Sequence, residues 1–198
     1  LMYENKIITE PKWKSWIIQT TTPLFTPDQC NQIIASGRAQ KPQEAQVGIN
    51  KPGGGTDTKK RVTTISWIPF QEMGHMYQDL NSFIQKANEN HFGFGDIRVT
   101  ENAQFTEYPE GGFYDWHMDC DVNMEHEPPV RKISMTVLLN DPSEFEGGHL
   151  ELMAPGKFAE LKQGHAICFA SFLNHRVNPV TRGMRQSLVV WFGGKAFR

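Results

Sequence analysis

Cysteine is scarce in this 198-residue chain: Cys30, Cys120 and Cys168 are widely spaced, odd in number and form no CxxC pair. That excludes a disulfide framework and fits a reducing compartment. An excess of charge of either sign is also missing. Lys and Arg number 20 against 22 Asp and Glu, a formal charge of -2, where a dedicated nucleic-acid binder carries a basic excess. No apolar run approaches the ~20 residues of a membrane span, and residues 1–16 contain no signal-peptide core. Internal repeats and low-complexity tracts are absent too. These absences predict a cytoplasmic protein with no membrane partner. What is present is 38% hydrophobic residues, 11% aromatic, in a chain long enough to bury roughly 70% of its unfolded surface without disulfides or a structural metal. Residues 1–198 read as a single domain.

The first half is mixed. Trp13, Trp16, Ile17 and Ile18 read as an edge strand. Thr26, Pro27 and Asp28 form an N-cap followed by proline at the first helical position, predicting a helix over 27–35 that buries Cys30, Ile33 and Ile34. After Pro69, the residues Met73, Met76, Tyr77, Leu80, Phe83, Ile84 and Ala87 keep the spacing of one apolar helix face to about residue 90. This stripe is read as core packing. Residues 41–61 between the helices are polar, with Gly53, Gly54 and Gly55, and lack either periodicity. They read as a lid loop or a solvated insertion, and no GK[ST] ending supports a phosphate loop. Residues 62–67 then read as a strand. From residue 96 the pattern becomes short β runs at 99–108, 113–121, 132–139, 149–153, 166–169, 175–178 and 186–192, punctuated by glycine and proline turns. Such spacing indicates a sandwich or barrel. The expected architecture is mainly β with supporting α-helices: helical support and lid over 1–95, barrel core over 96–198.

One stretch carries chemistry. If 113–121 is extended, Asp115, His117, Asp119 and Asp121 project to one face. His117 and Asp119 then lie roughly 6–7 Å apart at the backbone and can share one ion. A third ligand must come from elsewhere, and His175 is the best candidate. Two His plus one carboxylate with open positions is the donor set of non-haem Fe(II) oxygenases, whereas zinc favours a closed site often built with Cys. His75, His91, His126, His149 and His165 read as ordinary surface or core histidines. On composition alone, His149 and His165 remain rival ligands in the strand-rich half.

Downstream residues raise the chosen set above its rivals. In a strand over 185–192, Arg185, Ser187, Val189 and Trp191 share a face. A guanidinium on an inward face needs an anion, and arginine suits the far carboxylate of a dicarboxylate ligand. Arg176 points to the opposite face, and Arg182 precedes Gly183 in a turn. The segments Tyr108-Pro-Glu-Gly-Gly-Phe-Tyr114, His117-Met-Asp119, Leu139-Asn-Asp-Pro-Ser-Glu-Phe-Glu-Gly-Gly-His-Leu-Glu-Leu152 and His175-Arg-Val-Asn-Pro-Val-Thr-Arg-Gly-Met-Arg185 together resemble the Fe(II)- and 2-oxoglutarate-dependent dioxygenases of the prolyl 4-hydroxylase type, over about residues 99–193. Arg185 stands where animal collagen hydroxylases typically have Lys, which points away from that subgroup.

The resemblance implies a double-stranded β-helix, a jelly-roll or cupin-like barrel. It implies Fe(II) held by His117, Asp119 and His175. Arg185 would bind 2-oxoglutarate, aided by Tyr108, with Thr136 a further candidate for that pocket. Tyr114 and Trp191 would lie near the substrate. The implied reaction is hydroxylation of proline in a peptide or protein, consuming O2 and converting 2-oxoglutarate to succinate and CO2, with ascorbate supporting activity. Two alternatives stay open. One is an oxidative demethylase of nucleic-acid bases, which the charge balance disfavours. The other is a non-catalytic metal-binding or sensor barrel.

Overall fold

The computed structural model describes residues 15–44, 60–120, 129–156 and 158–195. Most of the 41–61 segment, together with Trp13, Asp121 and His126, lies outside the described residues. Its elements in chain order are β1 (Ile17–Gln19), α1 (Pro27–Ala39), β2 (Gln43–Glu44), β3 (Arg61–Val62), β4 (Thr64–Ile68), α2 (Gly74–Ala87), β5 (Arg98–Val99), β6 (Ala103–Tyr108), β7 (Phe113–His117), β8 (Val130–Leu138), β9 (Phe145–Gly147), β10 (Leu150–Leu152), β11 (Phe158–Ala159), β12 (Ala166–Ala170), β13 (His175–Val177), β14 (Val180–Gly183) and β15 (Arg185–Gly194).

Helix α1 begins where the sequence predicts it. The Thr26 hydroxyl accepts from the Gln29 N–H at 3.2 Å, and the Gln29 side chain accepts from the Thr26 N–H at 2.9 Å. This reciprocal cap satisfies two donors that the first turn leaves without partners. The helix runs to Ala39 rather than ending at 35. Gly37 allows the extension, because a Cβ there would sit 2.3 Å from the Phe105 ring, so its absence lets the last turn lie flat on the sheet. Helix α2 starts at Gly74, later than expected, because residues after Pro69 form a turn closed by the Glu72 N–H on the Pro69 carbonyl. It buries Met76, Tyr77, Leu80, Ile84 and Ala87 and passes into a π-helical turn over Asn88–Phe92 that ends at the left-handed Gly93. Among the described residues, no helix is long and apolar enough to cross a membrane.

Among the described residues, a large sheet has the order β1-β12-β8-β15-β6-β4-β2, with β5 also pairing β15. A smaller sheet has the order β11-β10-β13-β7-β3, and β14 pairs β9 separately. Alternation along the large sheet divides the interior in two. Ile133, Met135 and Val137 of β8 and Leu188, Val190 and Phe192 of β15 pack against both helices. The opposite face closes over Leu150, Leu152, Ile167, Phe169 and Val177, side chains drawn from both sheets. That second core is the interior of a double-stranded β-helix, as expected. Cys30 and Cys168 are buried free thiols, one in each half of the chain.

Candidate metal centre and adjoining pocket

Antiparallel pairing of β7 with β13 places His117 directly opposite His175, the arrangement that brings side chains on one face closest. Their ring centroids are 4.1 Å apart. Asp119 arrives differently from expectation. Strand β7 ends at His117, so the alternation predicted over 113–121 stops there. The chain bends, and the N–H groups of Asp119 and Cys120 both donate to the Ser171 carbonyl at 3.0 Å. The bend carries the carboxylate to the imidazoles, with Oδ1 3.5 Å from His117 Nε2 and Oδ2 3.5 Å from His175 Nε2. One ligand atom from each of the three residues lies within 4.8 Å of the others.

The donors fit a divalent ion. His117 Nδ1 donates to the Asp115 carbonyl at 2.7 Å and His175 Nδ1 to the Leu173 carbonyl at 3.0 Å. Each bond fixes the tautomer and leaves Nε2 with its lone pair toward the cluster. Burial, then the neighbouring His175, pushes His117 down to about 3, so it is neutral near pH 7 and able to ligate. Burial alone would raise Asp119, but the two imidazoles and hydrogen bonds from Ser134 and Trp191 outweigh it and hold the carboxyl at about 2. Two imidazoles, one carboxylate and no thiolate form a donor set suited to Fe(II) with positions left open.

Arg185 begins β15 and is 3% exposed. Its guanidinium donates to Ser187 Oγ at 3.1 Å and lies 5.5 Å from the ring of Tyr108, its cross-strand partner. Among the described residues, no carboxylate reaches ion-pair distance. A buried cation in that condition is costly unless an anion or an ordered dipole compensates it. Ser187, Val189 and Trp191 follow it on the same face, and Thr136 pairs with Val189 across β8. A cavity of about 520 Å³ reaches Arg185 past Leu138, Phe145, Gly148, Leu150 and Leu161, with Glu146, Glu160 and Lys162 also on its walls, and its lining includes none of the three clustered residues.

The other sites of the sequence reading have definite places. Tyr114 stacks on His117 with ring centroids 3.5 Å apart. Trp191 donates its indole N–H to Asp119 Oδ2 at 2.9 Å, so it braces a candidate ligand directly. Trp67 lies beside Trp191 at 6.1 Å. Arg176 pairs with Glu151 and covers Trp116 on the opposite face. Arg182 lies in β14, not in a turn, and pairs with Glu146. His149 is exposed and His165 bonds the Thr20 carbonyl, both outside the cluster. Ser134, Ser171, Arg61 and Arg131 escaped the sequence reading. Arg61 lies 4.3 Å over the Tyr114 ring and Arg131 3.7 Å over that of Trp191. Only Ser134 left a signal, since it shares the strand face of Thr136.

The profile of the 2OG-Fe(II) oxygenase superfamily matches residues 103–193, which hold all three clustered residues and Arg185. Over those residues, just under half of its length, the chain is similar to that superfamily. Within it, a PKHD-type hydroxylase of Acidovorax ebreus is 33% identical over 99 residues, covering 48% of this chain and 44% of that protein. The match thus spans less than half of the relative. A Pseudomonas putida prolyl-4-hydroxylase shares the fold with a TM-score of 0.68 at 22% identity, over 91% of this chain and 94% of that one. A prolyl hydroxylase from Trichoplax adhaerens, solved with a hypoxia-inducible-factor peptide fragment, superposes with a TM-score of 0.66 at 18% identity, over 90% of this chain and 83% of that one. The fold of those two solved structures therefore extends over about nine-tenths of this chain.

Proposed function

We propose that this protein is an Fe(II)- and 2-oxoglutarate-dependent hydroxylase that acts at C4 of a prolyl residue in a peptide or protein. The observation that carries the reading is a His-Asp-His cluster and a buried guanidinium on the interior of one barrel, the latter with no carboxylate at ion-pair distance among the described residues. His117, Asp119 and His175 would hold the ion, which when bound supplies the chemistry that couples O2 and 2-oxoglutarate consumption to hydroxylation. Arg185, with Ser187 and Tyr108 beside it, anchors the far carboxylate of the cosubstrate, and Thr136 lines the same interior. Tyr114, Trp191 and Trp67 offer flat faces for a proline ring. A peptidyl substrate is supported by the peptide bound to the Trichoplax relative.

The test is reconstitution with Fe(II) without oxygen, followed by air, 2-oxoglutarate and ascorbate, with succinate as the readout. His117→Ala should abolish turnover. Arg185→Ala should raise the 2-oxoglutarate KM on the order of 10²-fold, the usual consequence of removing one member of a buried charge pair. Full turnover by His117→Ala would end the iron assignment. Screening a proline-containing peptide library by mass spectrometry for one added oxygen then tests the substrate class.

A further inference from the structure

Two donors converge on a single oxygen of Asp119 from strands remote in sequence. Ser134 on β8 donates its hydroxyl to Oδ2 at 2.7 Å, and Trp191 on β15 donates its indole N–H to the same atom at 2.9 Å. Ser134 and Trp191 are cross-strand partners, so the sheet presents both donors side by side. Each donor is itself held. Ser171 Oγ lies 2.9 Å from Ser134 Oγ, and the carbonyl of the same serine fixes the Asp119 backbone. The Trp191 ring lies under Arg131, which makes two 2.6 Å bonds to Glu101. Distance to the imidazoles does not distinguish the two carboxylate oxygens, since each is 3.5 Å from one Nε2. Hydrogen bonding does. Among the described residues, no donor is directed at Oδ1.

We propose that Ser134 and Trp191 are positioning residues that make Asp119 a one-oxygen ligand, with Oδ2 occupied by the pair and Oδ1 left to the ion. The inference rests on the metal-dependent reading above. A carboxylate oxygen offers about two lone-pair sites, and two donors occupy both on Oδ2. The consequence is a matter of counting. Two imidazoles and a two-oxygen carboxylate fill four of the roughly six positions of a ferrous ion. The two that remain accommodate a chelating 2-oxo acid but leave no place for dioxygen. One oxygen from Asp119 leaves three. Ser134 and Trp191 therefore keep a coordination place vacant without touching the ion.

The experiment compares isosteric replacements, with Mn(II) as an air-stable probe. Ser134→Thr keeps a hydroxyl and Ser134→Val has the same shape without one. Ser134→Ala removes the hydroxyl without adding bulk, and Trp191→Phe removes the other donor. Mn(II) affinity is measured by equilibrium dialysis, water-proton relaxation is measured on the protein saturated with Mn(II) and 2-oxoglutarate, and thermal melting shows that each variant is folded. Ser134→Thr should keep wild-type affinity. Ser134→Val, Ser134→Ala and Trp191→Phe should weaken Mn(II) binding ~10–100-fold, the usual effect of removing a group that orients a metal ligand. With Mn(II) and 2-oxoglutarate both bound, the same three should lower water-proton relaxation, because the freed oxygen takes the coordination place that a water reaches in the wild type. Should Thr not fold in the tight site, wild type against Ala carries the comparison. Mn(II) binding by Val and Ala as tight as by the hydroxyl-bearing proteins overturns the proposal, and unchanged water-proton relaxation overturns its one-oxygen part. Failure of wild type to bind Mn(II), or equal binding by His117→Ala, would instead remove the metal-dependent reading.

Discussion

Desolvation and a second imidazole 4.1 Å away keep His117 neutral far below the pH at which a free imidazole protonates. In the unfolded chain this side chain titrates near the ordinary value of about 6.5, against about 3 when folded. Between those values the unfolded state binds the extra proton, so the metal-free protein loses stability as pH falls. The slope is about 1.4 kcal/mol per pH unit while one proton separates the states. Asp119, depressed to about 2, adds a loss of the same sign below about pH 4. Urea midpoints of the metal-free protein at pH 7 and pH 5 should therefore differ, and His117→Gln should flatten the difference. An equal slope in that variant would show that other groups govern the acid limb. Arg185 is the opposite case, a side chain that retains its charge when buried and so requires a ligand or an ordered dipole beside it.

Among the elements, the β7–β13 ladder brings the two histidines together and short turns set what lies around them. Gly148 illustrates the dependence. It sits at a φ of +64°, and a Cβ there would come 2.9 Å from Arg185 Cδ. Gly148→Ala should cost ~1–2 kcal/mol for the left-handed backbone and push the guanidinium aside, raising the 2-oxoglutarate KM as the melting temperature falls. Thr26→Ala tests the other side of the molecule. Losing the α1 cap should cost ~1 kcal/mol, roughly 2–4 °C in Tm, with the cosubstrate KM unchanged. The elements were also where the sequence was most legible, because caps and periodicity are local. The 113–121 strand went wrong for a physical reason. Alternation assumes continued pairing, and the Ser171 carbonyl captures two successive N–H groups and ends it.

At the scale of the whole molecule, the large sheet separates a helix-packed core from a barrel interior, so stability and chemistry are carried by opposite faces of the same strands. Leu80 is fully buried in the helix-side core. Leu80→Ala should cost about 2–5 kcal/mol, read as a lower urea midpoint, while folded protein keeps its Mn(II) affinity and cosubstrate KM. A large change in either constant would show that the two cores are coupled. Arg185 and Ser187 belong to the strand that also supplies Leu188 and Val190 to the other core, which is why strand register ties the site to the fold.

By itself the sequence determined what depends on neighbours along the chain: the capped helix, the apolar stripe of α2, the short β runs and the His117–Asp119 spacing. It also narrowed the distal ligand to a few histidines and marked Arg185 as a cation in need of an anion. Tertiary structure decided the rest. It set His175 opposite His117, placed Ser134 and Trp191 on one oxygen of Asp119, and left His149 and His165 outside the cluster. Those outcomes follow from register between strands tens of residues apart, and a shift of one residue would turn every one of these side chains to the other face.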